Sequence, residues 1–288
     1  MVQLGVQEAR SLATLFTTAT LRSLAAPTPW DAIRRLEPFP DIVDADIPLG
    51  EVLDELFNSL ARTRASEYVY KNAIVSRLVF GRHRPTTAGA MTEMPIGRSF
   101  ADVVVVNGTI TVYEIKTDLD SFARLNDQLA DYSTVAEHVF VATSERRAEA
   151  ALRMAPLHVG VLTVDKRGRI STQRESAGGT GRIYASSLFG SLRQAERVEV
   201  LRELAVSAVG SSTGALREAF TTIPIEDLYP SVVRILRTRL MSPAGLVGED
   251  KFPLSLRALA YGADLNPSAR ARLVSRLRGL PRELFEIP

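Results

Sequence analysis

Apolar residues follow a strand pattern in the middle of the chain and a helix pattern at both ends. Between residues 61 and 186, short apolar runs bounded by Gly, Asn and Pro predict strands, and apolar residues three or four apart predict helices. The predicted order is a strand at 91–96, a β-hairpin at 101–116, a helix around Gln128, a strand at 138–143, a helix ending near Met154 and a strand at 158–165. This order predicts an α/β fold with a mixed, mainly antiparallel sheet flanked by helices.

The segments on either side of this core predict helices. Residues 3–60 are punctuated by prolines at positions 27, 29, 38, 40 and 48, and from Leu188 onward apolar pairs recur at helical spacing. We therefore divide the chain into a helical N-terminal region (1–60), an α/β core (61–186) and a helical C-terminal region (187–288).

Charged residues stand on otherwise apolar strands in the predicted hairpin. Asp102 precedes the turn and Glu114 follows it, with Lys116 two residues further on. A carboxylate on a buried strand needs a partner. A divalent metal ion, which prefers oxygen ligands, is one such partner.

The Asn-Gly turn of the hairpin permits two registers. A two-residue turn would place Asp102 opposite Tyr113 and send Glu114 to the other face of the sheet. A three-residue loop at 106–108, with its glycine at positive φ, would place Asp102 opposite Val112 and bring both acids and the lysine to one face. The apolar residues do not decide between the registers, so the second is a hypothesis based on the chemistry it would allow.

Two helices flank the hairpin and carry polar residues on apolar faces. Glu67 shares a helical face with Ile74, where an unpaired carboxylate would be costly. Alternatively, Glu67 is simply an acid of the first helical turn after a Ser66 cap. Beyond the hairpin, Gln128 and Tyr132 lie four residues apart on or beside an apolar helical face, so their polar groups are predicted to point toward the sheet.

At these residues the chain resembles the PD-(D/E)XK nuclease superfamily. Its core has a helix bearing Glu, strands bearing Asp and (D/E)-x-K, and then a second helix, and the order here is the same. Four residues match position by position: Glu67, Asp102, Glu114 and Lys116. The resemblance implies a restriction-endonuclease-like core, with the helical regions as extensions.

Two further details carry the resemblance. Gln128 and Tyr132 resemble the Gln/Tyr helix motif of the exonuclease-type branch of that superfamily. Residues 66–73 and 113–116 are similar to a family of mostly uncharacterised bacterial and prophage-encoded proteins assigned to it. The similarity covers about residues 62–165, and Ala101 stands where the motif name has Pro, a position that varies widely in the superfamily.

The resemblance also implies a role for each residue. Asp102 and Glu114 would hold Mg²⁺ or Mn²⁺, and Glu67 would act as a further ligand or help to place the attacking water. Lys116 would position that water or stabilise charge on the scissile phosphate, and Gln128 would orient the water or a phosphate oxygen. Tyr132 would stack on a base or pack in the core.

A basic segment follows the predicted site. Residues 146–197 contain ten Lys or Arg against four Asp or Glu. The predicted nucleic-acid contacts among them are Arg146, Arg147, Lys166, Arg167 and Arg169. Such a segment could follow a phosphate backbone, but an ordinary solvated surface explains the composition equally well.

Composition narrows the alternatives without selecting a function. The chain has no cysteine, and its three histidines are scattered, which argues against disulfides and against a zinc site. The N-terminus lacks a signal-peptide pattern, and no apolar run approaches the roughly 18 residues of a membrane span. We therefore expect a cytoplasmic protein without a membrane segment.

Together these patterns predict a metal-dependent phosphodiesterase acting on nucleic acid, with DNA favoured. The prophage-linked resemblance implies a role in repair or in defence against mobile DNA. The alternative is a nuclease-fold module without turnover that binds nucleic acid or a protein. The helical extensions could clamp nucleic acid, form a homodimer or bind a regulatory protein partner.

Overall fold

A mixed sheet of six strands lies at the centre of the computed structural model, which describes residues 6–63, 66–206, 210, 212–248 and 252–286. The strands lie across the sheet in chain order: β1 (Gly89–Ile96), β2 (Ser99–Val106), β3 (Ile110–Lys116), β4 (His138–Thr143), β5 (Gly160–Val164) and β6 (Ile170–Arg174). Neighbours β1, β2 and β3 are antiparallel, β3, β4 and β5 are parallel, and β6 returns antiparallel to β5. The predicted α/β class with a mixed sheet is confirmed, whereas β6 was not predicted.

Helices provide the crossovers that parallel strands require. Helix α7 (Leu125–Ser133) connects β3 to β4, and α8 (Ala148–Met154), preceded by a 3₁₀ turn at Glu145–Arg147, connects β4 to β5. Before the sheet, α6 (Glu67–Val75) continues as a π-helical stretch, Ser76–Arg82. These helices bring the charged residues of the predicted site to the end of β3.

The two faces of the sheet belong to two hydrophobic cores. Alternate residues of the hairpin strands, such as Val103 and Ile115, face the core that contains α6, and we call this side the α6 face. Residues such as Val104 and Val112 face the core that contains α7, the α7 face. Burial on both sides explains why these strands are apolar at nearly every position.

Helices cover both cores from the ends of the chain, as the apolar spacing predicts. The N-terminal helices are α1 (Val6–Ala13), α2 (Thr18–Ala25), α3 (Trp30–Leu36), α4 (Pro40–Val43) and α5 (Leu49–Thr63). The C-terminal helices are α9 (Ala185–Ser191), α10 (Gln194–Glu203), α11 (Thr213–Thr221), α12 (Ile225–Leu240), α13 (Ala244–Val247), α14 (Arg257–Gly262) and α15 (Pro267–Arg278), with 3₁₀ turns at Leu254–Leu256 and Pro281–Glu286. None of the helices in these described ranges is long and apolar enough to cross a membrane.

The C-terminal helices divide between the two cores. Helices α9 to α12 pack on the α7 face, whereas α14 and α15 pack with the N-terminal helices on the α6 side. Arginines of α15 fix this arrangement: Arg276 Nη1 donates to Leu24 O at 2.7 Å, and Arg272 Nε donates to Ala25 O at 2.9 Å. The helical regions at the two chain ends therefore share one core.

One irregularity in the sheet lies beside the predicted site. Glu93 in β1 has φ +58°, in the left-handed region that a residue with a Cβ rarely adopts. Met91 and Met94 both face the α7 side, although residues three apart in a regular strand lie on opposite faces. The alternation is broken in the same way in β2, where Ala101 and Val104 share the α7 face. Asp102 therefore lies where the regular pleat is interrupted.

Candidate active site

The β2–β3 hairpin places Asp102 level with Glu114. Val106 pairs with Ile110, which leaves a three-residue loop at 107–109 whose Gly108 has φ +76°. The loop is odd in length, as predicted, which excludes the two-residue turn, and both acids line the same cleft. The predicted position of the loop, 106–108, is wrong. Val106 stays in the ladder because its side chain is completely buried in the α7-face core.

This shift changes the pairing but not the face. Val112 lies opposite Val104, not opposite Asp102 as predicted. The observed pairing differs from the predicted one by two residues, and side chains alternate with a period of two along a strand. The error therefore does not separate the residues of the predicted site. The register thus supports the chemical argument, which required only an odd loop.

Lys116 and Glu114 form a buried ion pair that extends to α7. Lys116 Nζ lies 2.6 Å from Glu114 Oε1 and donates to Gln128 Oε1 at 2.9 Å. Glu114 is 2% exposed and Lys116 7% exposed. The ammonium group is therefore fixed between a strand carboxylate and a helix amide. One of its three N–H donors has no acceptor among the described residues.

Tyr132 holds the other oxygen of Glu114. Its hydroxyl lies 2.8 Å from Glu114 Oε2 and 2.8 Å from Phe100 O, so its single proton is shared between two acceptors. Burial, together with the nearby Glu114 charge, raises the pKa of Tyr132. The side chain is completely buried, so packing in the core is confirmed, the alternative of base stacking is wrong, and Tyr132 is a positioning residue for Glu114.

Asp102 is held at the interruption of the sheet. Its Oδ2 accepts the backbone N–H of Ile115 at 2.7 Å. Burial, followed by repulsion from Glu114 and Glu67, raises the pKa of Asp102 to about 8, although Lys71 and the Ile115 N–H act in the opposite direction. Asp102 therefore retains its proton below this pKa, and a nearby cation would favour its ionised form.

Lys71 is one of the charged residues that sequence reasoning missed. Its Nζ lies 2.6 Å from Glu67 Oε1, 3.1 Å from Glu93 Oε1 and 3.7 Å from Asp102 Oδ1. Burial lowers the pKa of Lys71, but Glu67, Asp102 and Glu93 outweigh it and raise the pKa above its usual value. The available signal was a lysine four residues after Glu67 on an otherwise buried helix.

Glu67 joins this group from the solvent side. Its side chain is 47% exposed, so the prediction of a place on a buried helical stripe is wrong. Glu67 is the first residue of α6, and no preceding helical turn covers it. The alternative, an acid in the first helical turn, describes the location of Glu67. Glu67 is nevertheless linked to Asp102, because Lys71 contacts both carboxylates.

These side chains line a cleft of about 550 Å³. All five predicted catalytic residues contribute to its wall: Glu67, Asp102, Glu114, Lys116 and Gln128. Sequence reasoning missed two exposed arginines in the wall, Arg98 and Arg124. It also missed the acids Asp120, Asp127 and Asp131. Their positions in loops and in α7 left no periodic signal.

Asp131 illustrates how one of these acids shapes the cleft. Its Oδ2 accepts the Arg98 N–H at 3.1 Å and the Ser99 hydroxyl at 2.7 Å. The turn it supports needs Gly97, which has φ +61° and lies so close that a Cβ would approach Asp131 Oδ1 to 2.7 Å. Asp131 therefore fixes the β1–β2 turn that carries Arg98 to the cleft.

The predicted nucleic-acid contacts after the core do not line this cleft. Arg146 is exposed, and its Nη1 lies 3.8 Å from Oδ2 of Asp118, a residue of the loop that follows β3. Arg147 Nη1 donates to Thr117 O at 2.8 Å and to Asp120 O at 2.6 Å, so it holds that loop in place. These two arginines lie beside the site, and Arg147 has a structural role there.

The other three basic residues belong to the β5–β6 turn. Arg169 is paired with Asp165 at 2.6 Å, whereas Lys166 and Arg167 line a different cleft. The five predicted contacts therefore do not form one surface, because the segment spans two turns that lie at different places on the sheet. The cations that line the candidate site are Arg98, Lys116 and Arg124.

Asp102 and Glu114 are chemically suited to Mg²⁺ or Mn²⁺. Mg²⁺ is commonly held by one or two carboxylates together with several waters, and the mutual repulsion that raises the pKa of Asp102 is what a divalent cation would relieve. In the described part of the chain no three Asp, Glu or His side chains converge as a ready metal cluster. The ammonium groups of Lys71 and Lys116 supply the local positive charge instead.

Comparison with known protein families assigns the chain to one of them. The family model described as bacteriophage P4 protein cII matches residues 61–244, which is more than half of the chain. The chain belongs to the bacteriophage P4 cII family. The matched residues include the whole sheet, the candidate active site and helices α6 to α12.

Other comparisons add little. None of the curated proteins compared with the sequence is a significant match. A solved structure, the SPO1766 protein of unknown function from Silicibacter pomeroyi, is similar over 43% of this chain and 86% of its own, with 19% identity and a TM-score of 0.28. A similarity at that level carries no argument about function.

Proposed function

We propose that this member of the phage P4 cII family is a metal-dependent nuclease of the PD-(D/E)XK type that hydrolyses phosphodiester bonds in DNA. The observation that carries the proposal is the position of Lys116. Its ammonium group lies between Glu114 and Gln128, in the cleft that Asp102 and Glu67 also line. A structural ion pair would account for Lys116 and Glu114, but not for Asp102, Glu67 and Gln128 gathering around them.

Asp102 and Glu114 are the proposed metal ligands, and hydrogen bonds hold each carboxylate in place. Asp102 and Glu114 would hold Mg²⁺ or Mn²⁺, and the bound ion would neutralise charge on the scissile phosphate and activate water as the nucleophile. Tyr132 fixes the orientation of Glu114, and the Ile115 N–H fixes that of Asp102. The two carboxylates are therefore positioned before any ligand arrives, which limits the reorganisation needed during the reaction.

Lys116 acts on the phosphate and the attacking water. Its remaining N–H donor is available for a phosphate oxygen or a water in the cleft. Gln128 holds the ammonium group and presents an amide to the same space. Both groups would stabilise negative charge that develops on the phosphate in the transition state.

Lys71 balances the acids before the metal binds. It lies close to Asp102 and to two half-exposed glutamates, so it reduces the repulsion that would otherwise disfavour the folded state. When a divalent ion neutralises Asp102, Lys71 can remain paired with Glu67 and Glu93. The lysine thus keeps the carboxylate side chains in place in both states.

Two observations support a nucleic-acid substrate. The cleft adds Arg98 and Arg124 to Lys116, which gives three cations close to the acids, as phosphate recognition requires. Membership of a phage protein family agrees with the prophage-linked resemblance of residues 66–116. Repair or defence against mobile DNA is the role that we propose for such an enzyme.

Cleavage assays test the proposal. The purified protein would be incubated with linear, circular, single-stranded and double-stranded DNA, and with RNA, in the presence of Mg²⁺, Mn²⁺ or EDTA. We expect cleavage of DNA with either metal and none in EDTA. Asp102→Asn should abolish the cleavage, whereas Glu149→Gln, which changes an acid that is 86% exposed on α8, should not.

A second candidate function rests on the pairing of the acids with lysines. Because Lys71 and Lys116 already compensate Asp102 and Glu114, the cleft could serve as a binding site without turnover. In that case the protein would bind DNA equally well in Mg²⁺ and in EDTA and would leave every substrate intact. Metal-dependent cleavage by the wild type that Asp102→Asn removes would exclude this alternative.

A further inference from the structure

A second cleft, of about 670 Å³, lies between α5, α6, the β5–β6 turn and the start of α14. We call it the basic cleft because of its charged lining: Arg62, Arg77, Lys166, Arg167 and Arg257, with Asp54 as the acid. The described residues that line it do not overlap with those that line the candidate active site. It is therefore a separate feature of the surface.

The carboxylate of Asp54, the acid in the lining of the basic cleft, accepts hydrogen bonds from two backbone N–H groups. Asp54 Oδ1 accepts the N–H of Ser255 at 2.8 Å, and its Oδ2 accepts the N–H of Leu254 at 3.2 Å. These bonds hold the loop before α14 against α5. Asp54 therefore has a structural role, and its single charge is outnumbered by the five cations that line the cleft.

Three of these cations, Arg77, Lys166 and Arg167, have no carboxylate partner among the residues that the structure describes. Arg77 Nε donates only to Gly168 O, at 3.3 Å, and Lys166 and Arg167 are exposed without an ion pair among the described residues. By contrast, Arg169 in the same turn is neutralised by Asp165 at 2.6 Å. The cleft thus gathers five cations around one carboxylate, which leaves an excess of positive charge in its lining.

Arg257 forms the inner wall of the basic cleft. Its guanidinium group lies 4.0 Å from the centre of the Phe80 ring, and its buried Nε has no hydrogen-bond partner in the described structure. A buried donor without a partner is costly, so it indicates a missing acceptor. An anion that satisfies Arg257 must enter the cleft, which a group at the end of a molecule can do more readily than the backbone of a duplex.

We propose that the basic cleft binds a terminal phosphate group, carried either by a nucleotide or by the phosphorylated end of a nucleic-acid strand. A phosphate monoester carries up to two negative charges and three terminal oxygens, which suits arginine donors that arrive from different elements. The apolar residues Val69 and Ala73 of α6 line the same cleft and offer a surface for the attached nucleoside. This binding does not depend on the proposed nuclease activity.

Binding measurements in EDTA, where a nuclease would be inactive, test the proposal with the full chain. A short single-stranded oligonucleotide, labelled at its 3′ end, would be titrated by fluorescence anisotropy with either a 5′-phosphate or a 5′-hydroxyl. We expect the phosphorylated strand to bind about tenfold more tightly or better. Competition with adenosine monophosphate and with inorganic phosphate distinguishes a free nucleotide from a strand end as the source of the phosphate.

Variants connect the binding to the cleft. The double variant Arg77→Ala/Arg167→Ala removes two exposed arginines and should erase the preference for the 5′-phosphate. The control Arg153→Ala, which removes an arginine that is 67% exposed on α8, should keep it. Equal affinities for the two strands in the wild type, or a preference that survives the double variant, would overturn the proposal. Lys116→Ala should retain the preference, so a failed nuclease assay and a failed phosphate assay remain distinguishable.

Discussion

Replacing Lys71 by methionine tests how the acids of the site are balanced. The change Lys71→Met keeps an unbranched apolar side chain on α6 but removes the charge beside Glu67, Glu93 and Asp102. In EDTA we expect a less stable protein, because Asp102 loses a cation that lies 3.7 Å away. With Mg²⁺ we expect most of that loss to be recovered.

The magnitude follows from the exposure of each partner. Glu67 and Glu93 are 47% and 67% exposed, so their pairs with Lys71 are each worth at most about 1 kcal/mol. Asp102 is only 16% exposed, and above pH 8, where it is ionised, removing one partner of a buried pair costs about 3–5 kcal/mol. Asp102 can take up a proton instead, and methionine avoids burying an ammonium group, so we expect a net loss of about 2–3 kcal/mol in the free energy of unfolding.

Chemical and thermal denaturation in EDTA and in Mg²⁺ would measure both effects. We expect the melting temperature of Lys71→Met to fall by about 5–10 °C in EDTA. Mg²⁺ should raise it by more than it raises that of the wild type, since one positive charge no longer competes for Asp102. The exposed-site control Arg153→Met should behave like the wild type in both. Identical stabilities of Lys71→Met and wild type in EDTA, together with identical responses to Mg²⁺, would refute the charge-balance argument.

Three further changes test individual contacts. Lys116→Ala should remove most DNA cleavage while Mg²⁺ still stabilises the protein; unchanged cleavage rates would show that the lysine has no role in turnover. Because the pKa of Asp102 is raised, the folded state retains a proton that the unfolded state releases near pH 3.8. As the pH increases toward about 8, the free energy of unfolding in EDTA should therefore fall. The affinity for Mg²⁺ should rise over the same range. Denaturation curves and Mg²⁺ titrations between pH 5 and pH 8 measure this, and Asp102→Asn should remove both trends; a wild type without them would contradict the assigned pKa. Tyr132→Phe should lower the free energy of unfolding by about 2 kcal/mol, because a hydrogen bond to buried Glu114 is lost, and a variant as stable as wild type would show that this bond contributes nothing.

The hairpin shows what the sequence can predict about this site. In a regular hairpin only an odd loop would bring Asp102 and Glu114 to one face, and the structure has an odd loop and places both acids in one cleft. The exact register depended on the burial of Val106, which requires knowledge of the helices packed on the α7 face. Strand periodicity therefore predicted the odd length of the loop, and tertiary packing determined its position.

The residues that were missed depend on contacts between distant segments. Lys71 and Glu93 meet across 22 positions of sequence, and the left-handed Glu93 has no local signature. The burial of Tyr132 depends on its packing against β2, where its hydroxyl donates to Phe100 O. The exposure of Glu67 depends on where α6 begins. Periodicity identifies an apolar face, but it does not predict which polar residues at its ends are covered.

The basic segment shows the limit of composition. Lys166 and Arg167 were grouped with Arg146 and Arg147 because they are close in sequence. The sheet separates the two pairs. Lys166 and Arg167 follow β5 and line the basic cleft, whereas Arg146 and Arg147 follow β4. Charge density along a chain predicts a shared surface only when the fold keeps the segment together.

The measurement that tests the central claim most directly is cleavage of linear and circular DNA by wild type, Glu114→Gln and Glu149→Gln in Mg²⁺. Both variants replace a carboxylate by an amide of nearly equal shape, one 2% exposed in the cleft and the other 86% exposed on α8. We predict cleavage by the wild type and by Glu149→Gln, and none by Glu114→Gln or in EDTA. Equal cleavage by all three proteins, or no cleavage by the wild type with any metal, would contradict the assignment of this cleft as a nuclease active site.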